Sequence, residues 1–186
     1  VLPLEDYLLG VVPGEMPAGW PPEALRAQAV AARTYAVSRM MVNRDASYDV
    51  YATVADQVYR GVEGEDQRTT AAVRETAGQI ITYEGVPITA YYSADAGGYT
   101  RQGSLPYLQA VPTVDPESPH QDWQVELGAA QLSGIAESLW HGIGRLTRIE
   151  AANDPVSGHL TSLMLIGEAG RVKLNPANLR KAVGYD

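Results

Sequence analysis

The sequence predicts an α+β fold, and three observations lead there. Helical patterns crowd the chain before residue 78, while paired strand patterns dominate after it. A long alanine-rich stretch, Glu23 to Met41, reads as a central helix that neighbouring helices and antiparallel strands pack against. The tail alternates short strand-like runs with turn residues, as an antiparallel meander does. The predicted arrangement is one domain over residues 1–186. Residues 1–115 form a core and 116–186 a lobe of one helix and the meander, with a cleft between the two lobes.

In the first helix, Leu4, Tyr7, Leu8, Val11 and Val12 recur at the spacing of one helical face. Pro3 suits the start, and Glu5 and Asp6 sit in the first turn, where the helix dipole favours negative charge. Pro13 and Gly14 are expected to stop this helix. Glu15 would then stand in a stiff apolar loop with Met16, Pro17, Trp20, Pro21 and Pro22. An apolar setting disfavours an ionised carboxyl group, and a glutamate so held can act as a general acid. A plain solvent-facing loop glutamate fits the same window.

Pro21-Pro22-Glu23 opens the second helix. Its small residues imply close approach to neighbours. Gln28, Tyr35 and Arg39 share a face with Leu25, Ala31 and Ala32, while Arg26 and Arg33 lie seven apart on another. Gln28 needs a hydrogen-bond partner if buried. Residues 43–64 read as an irregular excursion with short extended pieces at Asp49-Val50-Tyr51 and Gln57-Val58-Tyr59. The acidic run Glu63 to Asp66 caps a third helix over about 67–77, with Gly78 as its stop. A hairpin follows, 79–83 and 86–92 around a turn at Glu84-Gly85, and leads into Ser93-Ala94-Asp95-Ala96-Gly97-Gly98-Tyr99-Thr100. The two glycines allow positive φ and close approach of a ligand to backbone. A proline-rich loop from Leu105 to Gln121, a strand at Trp123–Leu127, a helix at Ala129–Trp140, strands at 146–151, 160–166 and 171–174, and a closing helix at Pro176–Val183 complete the chain.

Composition narrows the function. With 14 Lys and Arg against 22 Asp and Glu, the chain carries a net charge of −8. Nucleic acid and anionic membrane need basic surface, so neither is expected as a partner. No apolar run is long enough to span a bilayer. The chain opens directly on the first helix, as a mature form or an excised domain would. There is no cysteine, which removes disulfides, thiolate metal sites and cysteine nucleophiles. His120, His141 and His159 are scattered without ligand spacing, so no metal and no cofactor is expected. Ser93 lacks the Gly-x-Ser-x-Gly setting of a hydrolase nucleophile. Eleven tyrosines and no phenylalanine suit either sugar binding or a core in which Tyr replaces Phe. A two-carboxylate glycosidase would need a second acid near Glu15, and Asp56, Asp95 and Asp115 are the loop acids to nominate.

Four segments in order resemble the stage II sporulation protein D family, which includes amidase enhancers. They are Leu4-Glu5-Asp6-Tyr7-Leu8 through Glu15-Met16-Pro17; Glu23-Ala24-Leu25 through Gln28 to Tyr35, with Arg33; Gln57-Val58-Tyr59-Arg60-Gly61; and Tyr92-Ser93 through Gly97-Gly98-Tyr99-Thr100. The closing Asn178 to Gly184 is similar to the family's last helix. The resemblance implies an extracytoplasmic protein of the bacterial cell envelope. Its substrate would be peptidoglycan glycan strands, denuded of stem peptides, and a cell-wall amidase is a possible partner. It carries the family's catalytic glutamate onto Glu15 and its cleft-lining stretch onto Ser93, Gly97, Gly98 and Thr100. Gln28, Arg33, Gln57, Tyr59 and Tyr92 join these as expected substrate contacts.

The implied reaction is that of a lytic transglycosylase. Glu15 gives a proton to the glycosidic oxygen leaving muramic acid C1, then takes one from the C6 hydroxyl as that oxygen closes onto C1, leaving a 1,6-anhydro end. One group serves as acid and then base, and Tyr or amide side chains bear on the developing charge. A non-catalytic glycan-binding module that stimulates an amidase is the alternative, and a hydrolase with a second acid is a third. The chain departs from relatives that bind zinc through His and Cys near the Gln-Val-Tyr stretch. Here Tyr48-Asp49-Val50-Tyr51 and Val54-Ala55-Asp56-Gln57 contain neither. Tyr92 and Ala96 stand where many members have His and Cys.

Overall fold

The computed structural model describes residues 1–93, 95–113, 124, 126–139 and 142–178. It combines helices with antiparallel sheets, the predicted α+β class. The chain divides into two compact units, Val1–Ala94 and Asp95–Asp186.

The first unit is built on three helices, α1 (Leu4–Glu15), α2 (Pro22–Val42) and α3 (Gln67–Glu75). Leu8, Val11 and Val12 of α1, Ala29 and Ala32 of α2, and Val73 of α3 form its buried core. Alanines on α2 let the helix backbones come close, as expected from their size. Asp66 caps α3, its carboxylate accepting the Arg68 N–H at 2.7 Å. Two-residue strands β1 (Thr82–Tyr83) and β2 (Val86–Pro87) then pair around Glu84 and Gly85. Both turn residues have positive φ, 51° and 80°, the twist a tight hairpin needs.

One boundary differs from the sequence reading in a way that matters. Helix α1 runs through Pro13 and ends at Glu15, so Glu15 is the last helical residue and not part of a loop. Pro13 removes only one donor from a helix that is about to end. The Met16 N–H still closes on the Val12 carbonyl at 3.0 Å, and Glu15 is anchored from outside the helix. The extended pieces expected at 49–51 and 57–59 form no strand. Their polar groups are taken up by α1 and by side chains, as described below.

The second unit contains α4 (Ala129–Leu139) and a three-stranded antiparallel sheet in the order β3 (Leu146–Asn153), β4 (Leu160–Gly167), β5 (Arg171–Leu174). Ala136, Ile143, Leu163, Leu165 and Leu174 are its core. Helix and meander thus follow the hydrophobic pattern read from the sequence. Of the strand expected at Trp123–Leu127, Trp123 and Val125 lie outside the described residues, as does the closing helix beyond Asn178, whose first residues, Pro176 to Asn178, are helical.

Candidate active site

The site grows from the way residues 57–61 lie along α1. Gly10 and Gly14 are one helical turn apart and clear a track for this segment. A Cβ on Gly10 would stand 2.5 Å from the Tyr59 ring, and one on Gly14 would stand 2.7 Å from the Val58 carbonyl oxygen. With both positions bare, the Arg60 N–H reaches the Gly10 carbonyl at 3.0 Å, and the Val58 N–H donates to Glu15 Oε1 at 2.7 Å. Glu15 is half-buried, and its Oε2 makes no hydrogen bond among the described residues.

Gln57 sits beside this carboxylate and is fully buried. Its amide nitrogen donates to the Ala32 carbonyl at 3.2 Å and to the Tyr92 hydroxyl at 3.0 Å, and its oxygen accepts from the Tyr7 hydroxyl at 3.3 Å. Tyr7 in turn stacks on Tyr59, with ring centroids 5.5 Å apart. Burial pushes the Tyr92 phenol up to about 12; the Gln57 donor acts against this and the Glu15 charge adds to it. Tyr7 is pushed up as well, by burial first and then by Tyr92, Asp56 and Glu15. Both tyrosines therefore feel the Glu15 carboxylate. Tyr7 was not singled out by the sequence reading, which saw it only as one apolar-face position.

A second polar cluster flanks Gln57. Asp56 accepts from the Tyr51 N–H at 2.8 Å and from the Tyr35 hydroxyl at 2.7 Å. Arg39 Nε lies 3.1 Å from the same carboxylate, close enough for an ion pair although its N–H is not aligned for a hydrogen bond. Burial works to raise the Asp56 pKa, but these donors and the Arg39 charge outweigh it and hold it below the usual value. Tyr35 is pushed up to about 12 by burial and by Asp56. This carboxylate is committed to protein donors, so it is not placed to act as a second acid or a metal ligand. Nor do Tyr48, Asp49 and Tyr51 add nitrogen or sulfur donors for zinc. Among the described residues no group of three or more His, Asp or Glu side chains converges on a metal position.

The remaining expected contacts divide. Gln28 is buried on α2, and its Nε2 has no hydrogen-bond partner among the described residues. Arg33, only 1% exposed, is a packing residue. Its fork binds both Glu5 oxygens at 2.8 Å, and its other donors reach the Val73 and Gln79 carbonyls at 3.0 and 3.2 Å and the Thr76 hydroxyl at 3.4 Å. All five N–H groups are thus taken by protein. A cation there also complements the C-terminal end of α3. The motif position alone did not reveal this. Ser93 is exposed at the end of the first unit.

The glycine loop belongs to the second unit. Gly97 and Gly98 have φ of 63° and 91°, the left-handed geometry their residue type allows. The Asp95 carboxylate accepts the Gly97 N–H at 2.6 Å. Thr100 uses its hydroxyl internally, donating to the Gln109 carbonyl at 2.7 Å and accepting the Val111 N–H at 2.9 Å. His159 packs under the loop, its Nε2 2.8 Å from the Tyr99 carbonyl. A carbonyl accepts, so Nε2 carries the proton. His120, His141 and Asp115 lie outside the described residues.

The family model described as Stage II sporulation protein matches residues 1–83, the stretch that holds Glu15, Gln28, Arg33, Gln57 and Tyr59. The Stage II sporulation protein D of Bacillus subtilis is 32% identical over 199 aligned residues, covering 93% of this chain and 58% of that protein. The chain belongs to the stage II sporulation protein D family. Other proteins are similar over parts of the chain. The Amidase enhancer of Bacillus subtilis is 42% identical over 131 residues, covering 67% of this chain and 17% of its own length. An uncharacterised protein of Brachyspira hyodysenteriae is 36% identical over 172 residues, covering 88% of this chain and 46% of its own length. This member of the family therefore spans between about one sixth and three fifths of the curated relatives just named. No helix among its described residues is long and apolar enough to cross a membrane.

Proposed function

We propose that this chain cuts peptidoglycan glycan strands by a lytic transglycosylase mechanism, with Glu15 as the only proton-transfer group. The supporting observation is the state of its carboxylate. One oxygen is fixed by the Val58 N–H, and the other makes no hydrogen bond among the described residues. A carboxyl oriented through one oxygen presents the second for proton transfer. Protonated there, Glu15 donates to the glycosidic oxygen as its bond to muramic acid C1 breaks. The resulting carboxylate removes the C6 hydroxyl proton while the C6 oxygen bonds to C1. Every atom is retained in the two products, so no water is consumed and no second carboxylate is required. Tyr59 serves as a sugar contact in this reading. Arg33 and Thr100 act through packing. The site of action is the extracytoplasmic wall, and strands without stem peptides are the preferred substrate.

A second reading has a specific observation in its favour, the 42% identity to a protein named Amidase enhancer. In that reading the same surface holds glycan and stimulates a cell-wall amidase without cutting. One substitution separates the two. Glu15→Gln keeps the size and hydrogen bonding of the side chain but cannot shuttle a proton. Incubated with intact and with amidase-treated peptidoglycan, the variant should lose anhydro-muramic ends by roughly 10²–10⁴-fold as read by mass spectrometry, while still retaining glycan. Cleavage unchanged by the substitution would remove Glu15 from the reaction. A parent that makes no anhydro ends yet stimulates an amidase equally well with and without the substitution would establish the enhancer reading instead.

A further inference from the structure

Gln57 fixes the direction of hydrogen bonding at Tyr92. The amide nitrogen faces the Ala32 carbonyl at 3.2 Å, and a carbonyl can only accept, so the amide cannot be turned the other way. Its oxygen therefore faces Tyr7, whose hydroxyl donates to it. An amide nitrogen carries two hydrogens. One goes to Ala32 and the other to the Tyr92 oxygen at 3.0 Å. Tyr92 is thus the acceptor in that bond, and its own hydrogen points away from Gln57. No described residue accepts it. A phenol pushed up to about 12 keeps that proton at neutral pH. Gln57 holds Tyr92 and the adjacent Val58 holds Glu15, so the donating hydroxyl and the carboxylate hang from consecutive residues.

We propose that Tyr92 is a directed hydrogen-bond donor beside Glu15 that reads the acetamido carbonyl oxygen of an N-acetylated amino sugar. The inference rests on the glycan reading above and names a specificity determinant for it. Sugar hydroxyls both donate and accept, so a fixed donor does not discriminate among them. An acetamido carbonyl accepts only, and strongly. A deacetylated amine is an ammonium at neutral pH, with three donors and no acceptor, and would set donor against donor. The Gln57 clamp prevents Tyr92 from reversing to suit it. A site built with a fixed hydrogen-bonding direction rejects the wrong partner because its buried polar group is left unpaired.

The test is binding of N-acetylated and chemically N-deacetylated glycan strands, measured in the Glu15→Gln background so that nothing is cut. Tyr92→Phe, which removes only the hydroxyl, should weaken binding of N-acetylated strands about three- to tenfold, the range of one neutral hydrogen bond. It should leave binding of deacetylated strands unchanged or tighter, so the preference for acetylation narrows by at least that factor. Equal losses on both strands, or none on either, would overturn the assignment while leaving the glycan reading intact. If the Glu15→Gln protein retained neither strand, the glycan reading would fail and the role of Tyr92 with it. Circular dichroism of Tyr92→Phe matching the parent confirms that the comparison is between folded proteins.

Discussion

Gly14→Ala tests whether the close approach of residues 57–61 to α1 is what sets Glu15. The added Cβ would stand 2.7 Å from the Val58 carbonyl oxygen, with nothing flexible in between. Ordinary C–H···O contacts lie at about 3.3–3.6 Å, so Val58 must retreat by about 0.6 Å or more. The Val58 N–H···Oε1 bond starts at 2.7 Å. A retreat of that size along the bond takes it to about 3.3 Å, past the usual N–H···O range. Two terms set the stability change. Alanine gains up to about 1 kcal/mol over glycine in a helix. Overpacking typically costs about 1–3 kcal/mol. A net loss of up to about 2 kcal/mol is therefore expected in urea unfolding. The site should suffer more than the fold: a carboxylate displaced by most of an ångström should slow anhydro-end formation by about tenfold to 10²-fold. Gly19→Ala is the control, because its Cβ would meet nothing within 4 Å. If Gly14→Ala matched both the parent and this control in stability and rate, the track along α1 would not be what orients Glu15.

Arg33→Met should destabilise the protein by about 1–3 kcal/mol in denaturant unfolding, because the Val73 and Gln79 carbonyls lose a donor while the part-exposed Glu5 carboxylate is left to water. Arg33→Lys should recover only part of that, since an ammonium lacks the planar fork. The same pair predicts an acid limb. The Arg33 hydrogen bond holds the Glu5 pKa below its ordinary 4.5, with burial opposing and the Gly78 N–H assisting. A carboxyl depressed in the folded state stabilises above its unfolded pKa, and that contribution is lost as pH falls through the folded value. Urea midpoints should therefore drop below about pH 4.5, and Glu5→Gln should flatten that drop while lowering stability at pH 7. Because the Glu5 side chain is 41% exposed, solvent screening keeps the effect small.

Much of the fold was legible in the chain itself. Helical spacing over Leu4 to Val12 and the alanines of residues 23–41 specify faces, and faces specify which helices meet. Glu84-Gly85 names its turn, and the meander is written in alternating strands of the tail. The motif around Glu15 is likewise legible in the sequence. What sequence could not supply is who bonds with whom across long separations. Glu15 and Val58 are 43 residues apart, Gln57 and Tyr92 are 35 apart, and Arg33 and Gln79 are 46 apart. Local periodicity carries no record of such pairs. That is why Arg33 read as a ligand contact when it is the clamp between three helices, and why Tyr7 passed as mere core. Pro13 read as a helix stop, yet the helix runs on to Glu15 and closes with the Met16 N–H on the Val12 carbonyl. The sequence determined the elements and the residue types at the site. Only the packing of residues 57–61 onto two bare glycines decided which polar atoms were consumed by the fold and which were left open.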